Sequence, residues 1–219
     1  GWTAADITLA REVLNYEPQV SFEEGLARWG LAPGDIDVVI HTHLHNDHCE
    51  NDYKCENAEI YVHEKELERI HDPHPLDYRY LEDYIEDVEE NGQVRPLSKD
   101  TEILPGIRAF HTPAHTEGGM SVRVETDQGS VLICGFCTIL ENLEPPKEIR
   151  ALDMDVIPPG THTDTEKAYD ILLSARELAD HLLRGLPMSV DAAQSRRVVA
   201  VMEAAELSAA SGSAPVRLP

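Results

Sequence analysis

Apolar positions along this chain change their period several times, and the changes mark out its elements. Residues 3–15 read as a helix, with Thr3 able to cap it and Ile7, Val13 and Leu14 near one face. A second helix opens on the capping box Ser21-Phe22-Glu23-Glu24 and closes at Gly30. After a turn at Pro33-Gly34-Asp35, the triplet Val38-Val39-Ile40 suits a buried strand that runs directly into a polar, histidine-rich loop. Glu59-Ile60-Tyr61-Val62 predicts another strand, and residues 64–71 a helix that Asp72-Pro73-His74-Pro75 interrupts. The spacing of Tyr78, Tyr80, Leu81, Tyr84 and Val88 predicts one helix over 77–91, closed by Gly92. Its tyrosines either pack that helix on the sheets or wall a substrate pocket. The period then drops to two. Strands are expected at 107–111, 120–125 and 130–134, with turns at Pro105-Gly106 and Asp127-Gln128-Gly129. Thr163 or Asp164 caps a long helix to about residue 183, with Ala168, Ile171, Leu172 and Leu178 on its apolar side.

Composition narrows the class. The chain has 219 residues, enough for one large domain or a domain with an appendage at ~150 residues per domain. Its hydrophobic fraction of 42% supports a real core, and no apolar run approaches the ~18 residues of a membrane span. The net charge is −23, from 18 Lys and Arg against 41 Asp and Glu. Such a surface repels phosphate backbones, so neither nucleic acid nor an anionic membrane is expected as a partner. Cys49, Cys55, Cys134 and Cys137 are too sparse for a disulfide scaffold. Reduced thiols in a cytoplasm are the simplest reading, and no leader peptide is visible. Residues 184–219 differ in composition: they are rich in Ala, Ser, Val and Arg and carry +1 while residues 1–183 carry −24. A helix is expected at 194–209 and fraying at 210–219.

The chemistry concentrates in His43-Leu44-His45-Asn46-Asp47-His48. His43 and His45, two apart on an extended segment, project together, and Asp47 and His48 follow a turn and can face a second point nearby. Neutral imidazoles and a carboxylate suit zinc, with iron or manganese as alternatives. A cysteine-poor set leaves room for water and points to catalysis rather than to a structural ion. The loop after strand 107–111, His111-Thr112-Pro113-Ala114-His115-Thr116, offers a third imidazole. His115 would complete a three-histidine set with His43 and His45. His162, in Pro158-Pro159-Gly160-Thr161-His162, is expected near the pocket as a substrate-binding residue. His41 has a supporting role at most, and His63, His71 and His74 are expected to face solvent.

The two histidine motifs resemble the metallo-β-lactamase superfamily of metallo-hydrolases. The run 30–51 is most similar to the N-acyl homoserine lactonase-like branch, near the glyoxalase II-like enzymes. The resemblance covers roughly residues 1–183 and leaves 184–219 as an atypical segment, partly helical or disordered. It implies an α/β fold, an αββα sandwich with metals at one edge of its two sheets. It implies His43, His45 and His115 on one metal and Asp47 and His48 on a second. The expected ion is Zn2+, one or two per chain. The expected reaction is attack of a metal-bound hydroxide on a small-molecule carbonyl substrate, a lactone, ester or thioester, with Asp47 orienting the nucleophile and moving a proton.

Three departures from the family pattern stand out. The N-terminal strands that usually precede such a domain are expected to be missing. Phe136 stands where the family carries a bridging carboxylate; Cys137 could supply a thiolate instead, be a small buried thiol, or form a redox pair with Cys134. The resemblance also places a last histidine ligand beyond the helix at 164–183, and residues 184–219 contain none. These departures motivate an alternative from another class: a truncated, non-catalytic remnant that binds at most one metal. A nucleic-acid-processing member is disfavoured by the charge, and an oxygen- or nitric-oxide-reducing di-iron member by the histidine at position 45.

Overall fold

A computed structural model describes residues 20–136 and 138–184. The expectations for residues 3–15 and 184–219, for Cys137 and for the side chain of Leu178 lie outside the described residues. Helix α1 (Phe22–Ala27) starts at the predicted box: Glu24 N–H donates to Ser21 Oγ at 3.1 Å, and Ser21 N–H donates to the Glu24 carboxylate at 2.8 Å. Gly30 follows at φ +75, a conformation that favours glycine. Strand β1 (Val38–Ile40), helix α2 (Asn46–Cys49), strand β2 (Glu59–His63), helices α3 (Glu64–His71) and α4 (Asp83–Glu90) and strand β3 (Val94–Leu97) follow. The three strands form a parallel sheet in the order β1-β2-β3, whose crossovers carry these helices. Strands β4 (Thr101–Leu104), β5 (Ile107–His111), β6 (Met120–Thr126) and β7 (Gly129–Ile133) form an antiparallel meander. Short helices α5 (Leu140–Leu143) and α6 (Lys147–Arg150) lead to the long α7 (Thr165–Arg184). Asp164 caps α7 by accepting from Lys167 N–H at 3.1 Å.

The core has three parts, and they give the layers. Ile60 and Val62 on one face of β2 pack with Leu44, Ile70, Tyr80, Ile85 and Val88, between the parallel sheet and its helices. Ile40 and Tyr61 from the parallel sheet meet Ala109 and Met120 from the meander, with Leu97 and Ile103, which fills the space between the sheets. Ala168 and Leu172 of α7 pack with Ala114, Phe136 and Val156. Among the described residues no helix is long and apolar enough to cross a membrane.

The structure corrects the sequence reading in three places. The helix expected over 77–91 is confined to Asp83–Glu90. The Arg79 carbonyl accepts from Asn46 N–H at 2.9 Å, and that tertiary bond takes the backbone of 77–82 out of a helix. The tyrosines consequently part company: Tyr78 is 82% exposed, Tyr80 is buried and Tyr84 packs against the first core. Strands β3 and β4 carried no clear alternation; Pro96 is tolerated because β3 is the last strand in its sheet. His63 does not face solvent. The period-two pleat of β2 turns it, with Tyr61, toward the meander, where it is 3% exposed and stacks on His111 at 4.1 Å.

Burial, helped by the charge of His111, pushes His63 down to about 4 from an ordinary 6.5. Unfolded chains take up this proton below about pH 6.5 and the folded chain does not until about pH 4, so stability is full above that window and falls as pH drops through it. Replacing His63 by Gln should flatten the pH dependence of the unfolding free energy between those values by up to about 1.4 kcal/mol per pH unit, measured by urea titration at several pH values. Ile60→Ala, at a fully buried position, should cost about 2–5 kcal/mol in the same assay.

Candidate metal centre

The two sheets meet where Met120 N–H donates to the Thr42 carbonyl at 2.8 Å. β1 reaches this point through His41, whose N–H bonds the Tyr61 carbonyl, and then leaves the sheet. The next residues, His43 and His45, are therefore at a strand end beside the turn Thr112–Gly119, which carries His115 and is closed by a 2.7 Å bond from Thr112 N–H to the Gly119 carbonyl. Gly135 lies against the same junction. A Cβ there would sit 1.9 Å from the Met120 carbonyl oxygen, so only glycine permits the approach.

The structure brings His43, His45 and His115 together. All three are buried, and one ring nitrogen of each lies within 4.8 Å of the others. The second nitrogen of each ring is directed elsewhere. His115 Nδ1–H donates to the Thr161 carbonyl at 2.8 Å, which leaves Nε2 as a lone pair 3.1 Å from His45 Nδ1. His43 Nδ1 pairs with Thr42 Oγ1 at 3.0 Å, and its Nε2 is buried with no hydrogen-bond partner. His45 Nε2 faces the Asp77 carboxylate at 3.5 Å, beyond hydrogen-bond length, while Asp77 is held by Arg79 Nε at 2.8 Å. Burial pushes His43 down to about 2, with the charges of His48, His45 and His115 acting in the same direction. Burial and the Arg79 charge take His45 to about 4. His43 and His45 are accordingly neutral at physiological pH, the form that binds metal. The buried His43 Nε2 has no hydrogen-bond partner and lies beside the His45 Nδ1–His115 Nε2 pair, and a divalent cation would satisfy the orphaned nitrogen and replace the proton that the pair shares, so these residues fit the ion that the motifs imply.

Asp47 and His48 lie at the mouth rather than in the cluster. Asp47, in the short α2, is 75% exposed with its carboxylate 3.7 Å from His48 Nε2. The His48 ring is 40% exposed and centred 4.0 Å from that of His43. His162 is not among the converging donors. Its Nδ1 pairs with the Pro159 carbonyl at 2.5 Å and its Nε2 with Thr165 Oγ1 at 2.7 Å, at the start of α7. Phe136 is buried in the core beneath α7. Cys49 is an inert buried thiol, pushed up to about 12 by burial and by Asp52. His41 Nε2–H donates to the buried Asp52 carboxylate at 2.5 Å. Asp52, Glu66, Asp77 and Thr161 escaped sequence reasoning, and Tyr80 was singled out there only as a packing or pocket-wall residue. Glu66 alone left a signal: it falls one turn before Ile70 on the buried face of α3, where a carboxylate is out of place.

The profile of the metallo-beta-lactamase superfamily matches residues 1–183, and the chain belongs to that superfamily. It is similar to a probable metallo-hydrolase of Methanocaldococcus jannaschii, 32% identical over 162 residues that make up 74% of this chain and 62% of that protein. It is also similar to an N-acyl homoserine lactonase of a Bacillus species, 32% identical over 49% of this chain and 41% of the lactonase. The chain thus spans less than two thirds of the length of either. Among solved structures, a quorum-quenching N-acyl homoserine lactone lactonase superposes with a TM-score of 0.56 at 26% identity, covering 73% of this chain and 62% of that one. The metallo-β-lactamase fold expected from the motifs is the fold observed.

His43→Ala removes the orphaned donor. It should lower affinity for Zn2+ or Co2+ by at least about 100-fold, read by competition with a chromogenic chelator, with melting temperature as the control for folding.

Proposed function

We propose that this chain is a metal-dependent hydrolase of small carbonyl substrates, with a lactone as the first candidate and esters or thioesters next. The convergence of His43, His45 and His115 into one buried donor set carries the reading, and the lactonases among its relatives support the substrate class. Zinc is the proposed ion, with iron or manganese as alternatives. A divalent cation bound there supplies Lewis acidity toward a carbonyl and makes water a better nucleophile near neutral pH. The chain's own residues do the rest. The three imidazoles direct ring nitrogens toward one point, and burial keeps His43 and His45 neutral. Asp47, exposed at the mouth, is the proposed acceptor of the nucleophile's proton, with His48 beside it as a further ligand. His162 is proposed at the substrate side only through its neighbour Thr161, whose carbonyl orients His115.

A second reading has its own support. The side chain of Phe136 is buried against α7, and Asp47 is exposed. A centre furnished this way can hold one ion without turning over substrate. The test is an assay of the metal-loaded chain against N-acyl homoserine lactones of several acyl lengths and simple esters and thioesters, with and without chelator. Chelator-sensitive lactone opening, reduced about 100-fold or more in Asp47→Ala, is the expected outcome. A metal-loaded chain inert across the panel would leave the one-ion, non-catalytic reading in its place.

A further inference from the structure

Outside the cluster, one group touches both ligand-bearing loops. Glu66, the third residue of α3, is 1% exposed. Its Oε2 accepts from Leu44 N–H at 2.9 Å and from the Tyr80 hydroxyl at 2.9 Å. Its Oε1 accepts from Gly118 N–H at 3.0 Å. Leu44 is the residue between His43 and His45, and Gly118 is three residues after His115. Tyr80 lays its ring 4.7 Å from that of His45.

We propose that Glu66 is a positioning residue for the metal centre: its carboxylate fastens the His43–His45 segment to the His115 loop and so sets the spacing of the three imidazoles. The inference rests on the reading of those histidines as metal ligands.

Three observations carry it. First, neither loop is part of a sheet ladder at these amides, so Leu44 and Gly118 would present unpaired buried N–H groups without the carboxylate. Second, all three partners are donors, which only an acceptor on both oxygens satisfies. Third, the fit is close on the far side. A Cβ at Gly118 would lie 2.7 Å from both Glu66 Cγ and Glu66 N, and 2.8 Å from Oε1. The His115 loop therefore reaches the carboxylate only because position 118 has no side chain. A carboxylate whose sole task was to complete a core would not need to span both ligand loops, and an apolar residue would serve the core better.

The isosteric variant is informative because an amide cannot replace this carboxylate. With its oxygen toward Leu44 and Tyr80, the Gln amide points N–H groups at Gly118 N–H; turned over, it opposes Leu44 N–H, while the Tyr80 hydroxyl can rotate to accept. Each arrangement breaks at least one tie between the loops while keeping the volume.

The experiment compares wild type, Glu66→Gln, Gly118→Ala and Tyr80→Phe, with Val122→Ala, buried in β6, as a core variant outside the cluster that holds Leu44 and Tyr80. Each is stripped of metal, checked for folding by melting temperature, and titrated with Zn2+ against a chromogenic chelator. The visible spectrum of the Co2+-loaded form is recorded. Folded Glu66→Gln and Gly118→Ala should each bind Zn2+ about 10–100-fold more weakly, with altered Co2+ bands. Tyr80→Phe should change in the same direction by less, and Val122→Ala should lose stability while keeping affinity and spectrum. Wild-type affinity and spectrum in folded Glu66→Gln would overturn the inference. If Glu66→Gln fails to fold, Tyr80→Phe decides, and an unmoved spectrum there overturns it equally. Failure of the wild type to bind either ion would instead overturn the metal-centre reading beneath it.

Discussion

A single backbone hydrogen bond between the sheets, from Met120 N–H to the Thr42 carbonyl, sets the geometry on which this site depends. Each side of that bond belongs to a strand end. On one side the chain continues into His43; on the other it arrives from the loop that carries His115. The bond can form because Gly135 lets a third segment pass against Met120 with no side chain in the way. Between the sheets, Ile40, Tyr61, Ala109 and Met120 supply the apolar contact that keeps the two ends together. A buried junction of this kind has no slack, since close-packed interiors transmit displacement instead of absorbing it.

The electrostatics of the site follow from how its buried carboxylates are occupied. The chain carries −23, yet the acids nearest the cluster are engaged with partners of their own, and only the half-buried Asp77 also faces one of the three imidazoles, His45. Asp52 pairs with His41, Asp77 with Arg79, and Glu66 with two amides and a phenol. Arg79 pushes His45 toward the neutral form while Asp77 opposes it. Burial dominates for both His43 and His45. The result is a pocket in which His43 and His45 are neutral and the buried Nε2 of each lacks a hydrogen-bond partner, an arrangement that costs stability. The strong acidity of the chain belongs to its surface and has no part in this.

The departures at position 136 and at the mouth act together. Phe136 belongs to the core under α7, and it packs with Ala114, the neighbour of His115. An apolar residue there stiffens the support of the third imidazole and removes an oxygen donor from the end of the strand. Asp47 and His48, on a four-residue helix whose buried residue is Cys49, are left facing solvent to a larger degree than the three buried histidines. The buried histidines thus rest on strand ends and a hydrogen-bonded turn, and the mouth residues on a short helix.

Short-range patterns were legible without coordinates. The apolar triplet before His41, the capping box at Ser21, the cap at Asp164 and the glycine turns each act within a few residues, so composition and spacing reveal them. The three histidines that the fold brings together were legible for the same reason, since His43, His45 and His115 sit in recognisable loops after apolar strands. What only the tertiary structure decided are the contacts between distant segments. Glu66 meets Leu44 across 22 residues and Gly118 across 52, and His115 meets the Thr161 carbonyl across 46. The bond from Asn46 to Arg79 likewise overrode a helical pattern of tyrosines. No periodicity encodes such bonds. They arise when packing brings a buried donor to an acceptor, and the penalty for leaving either unpaired then selects the local conformation.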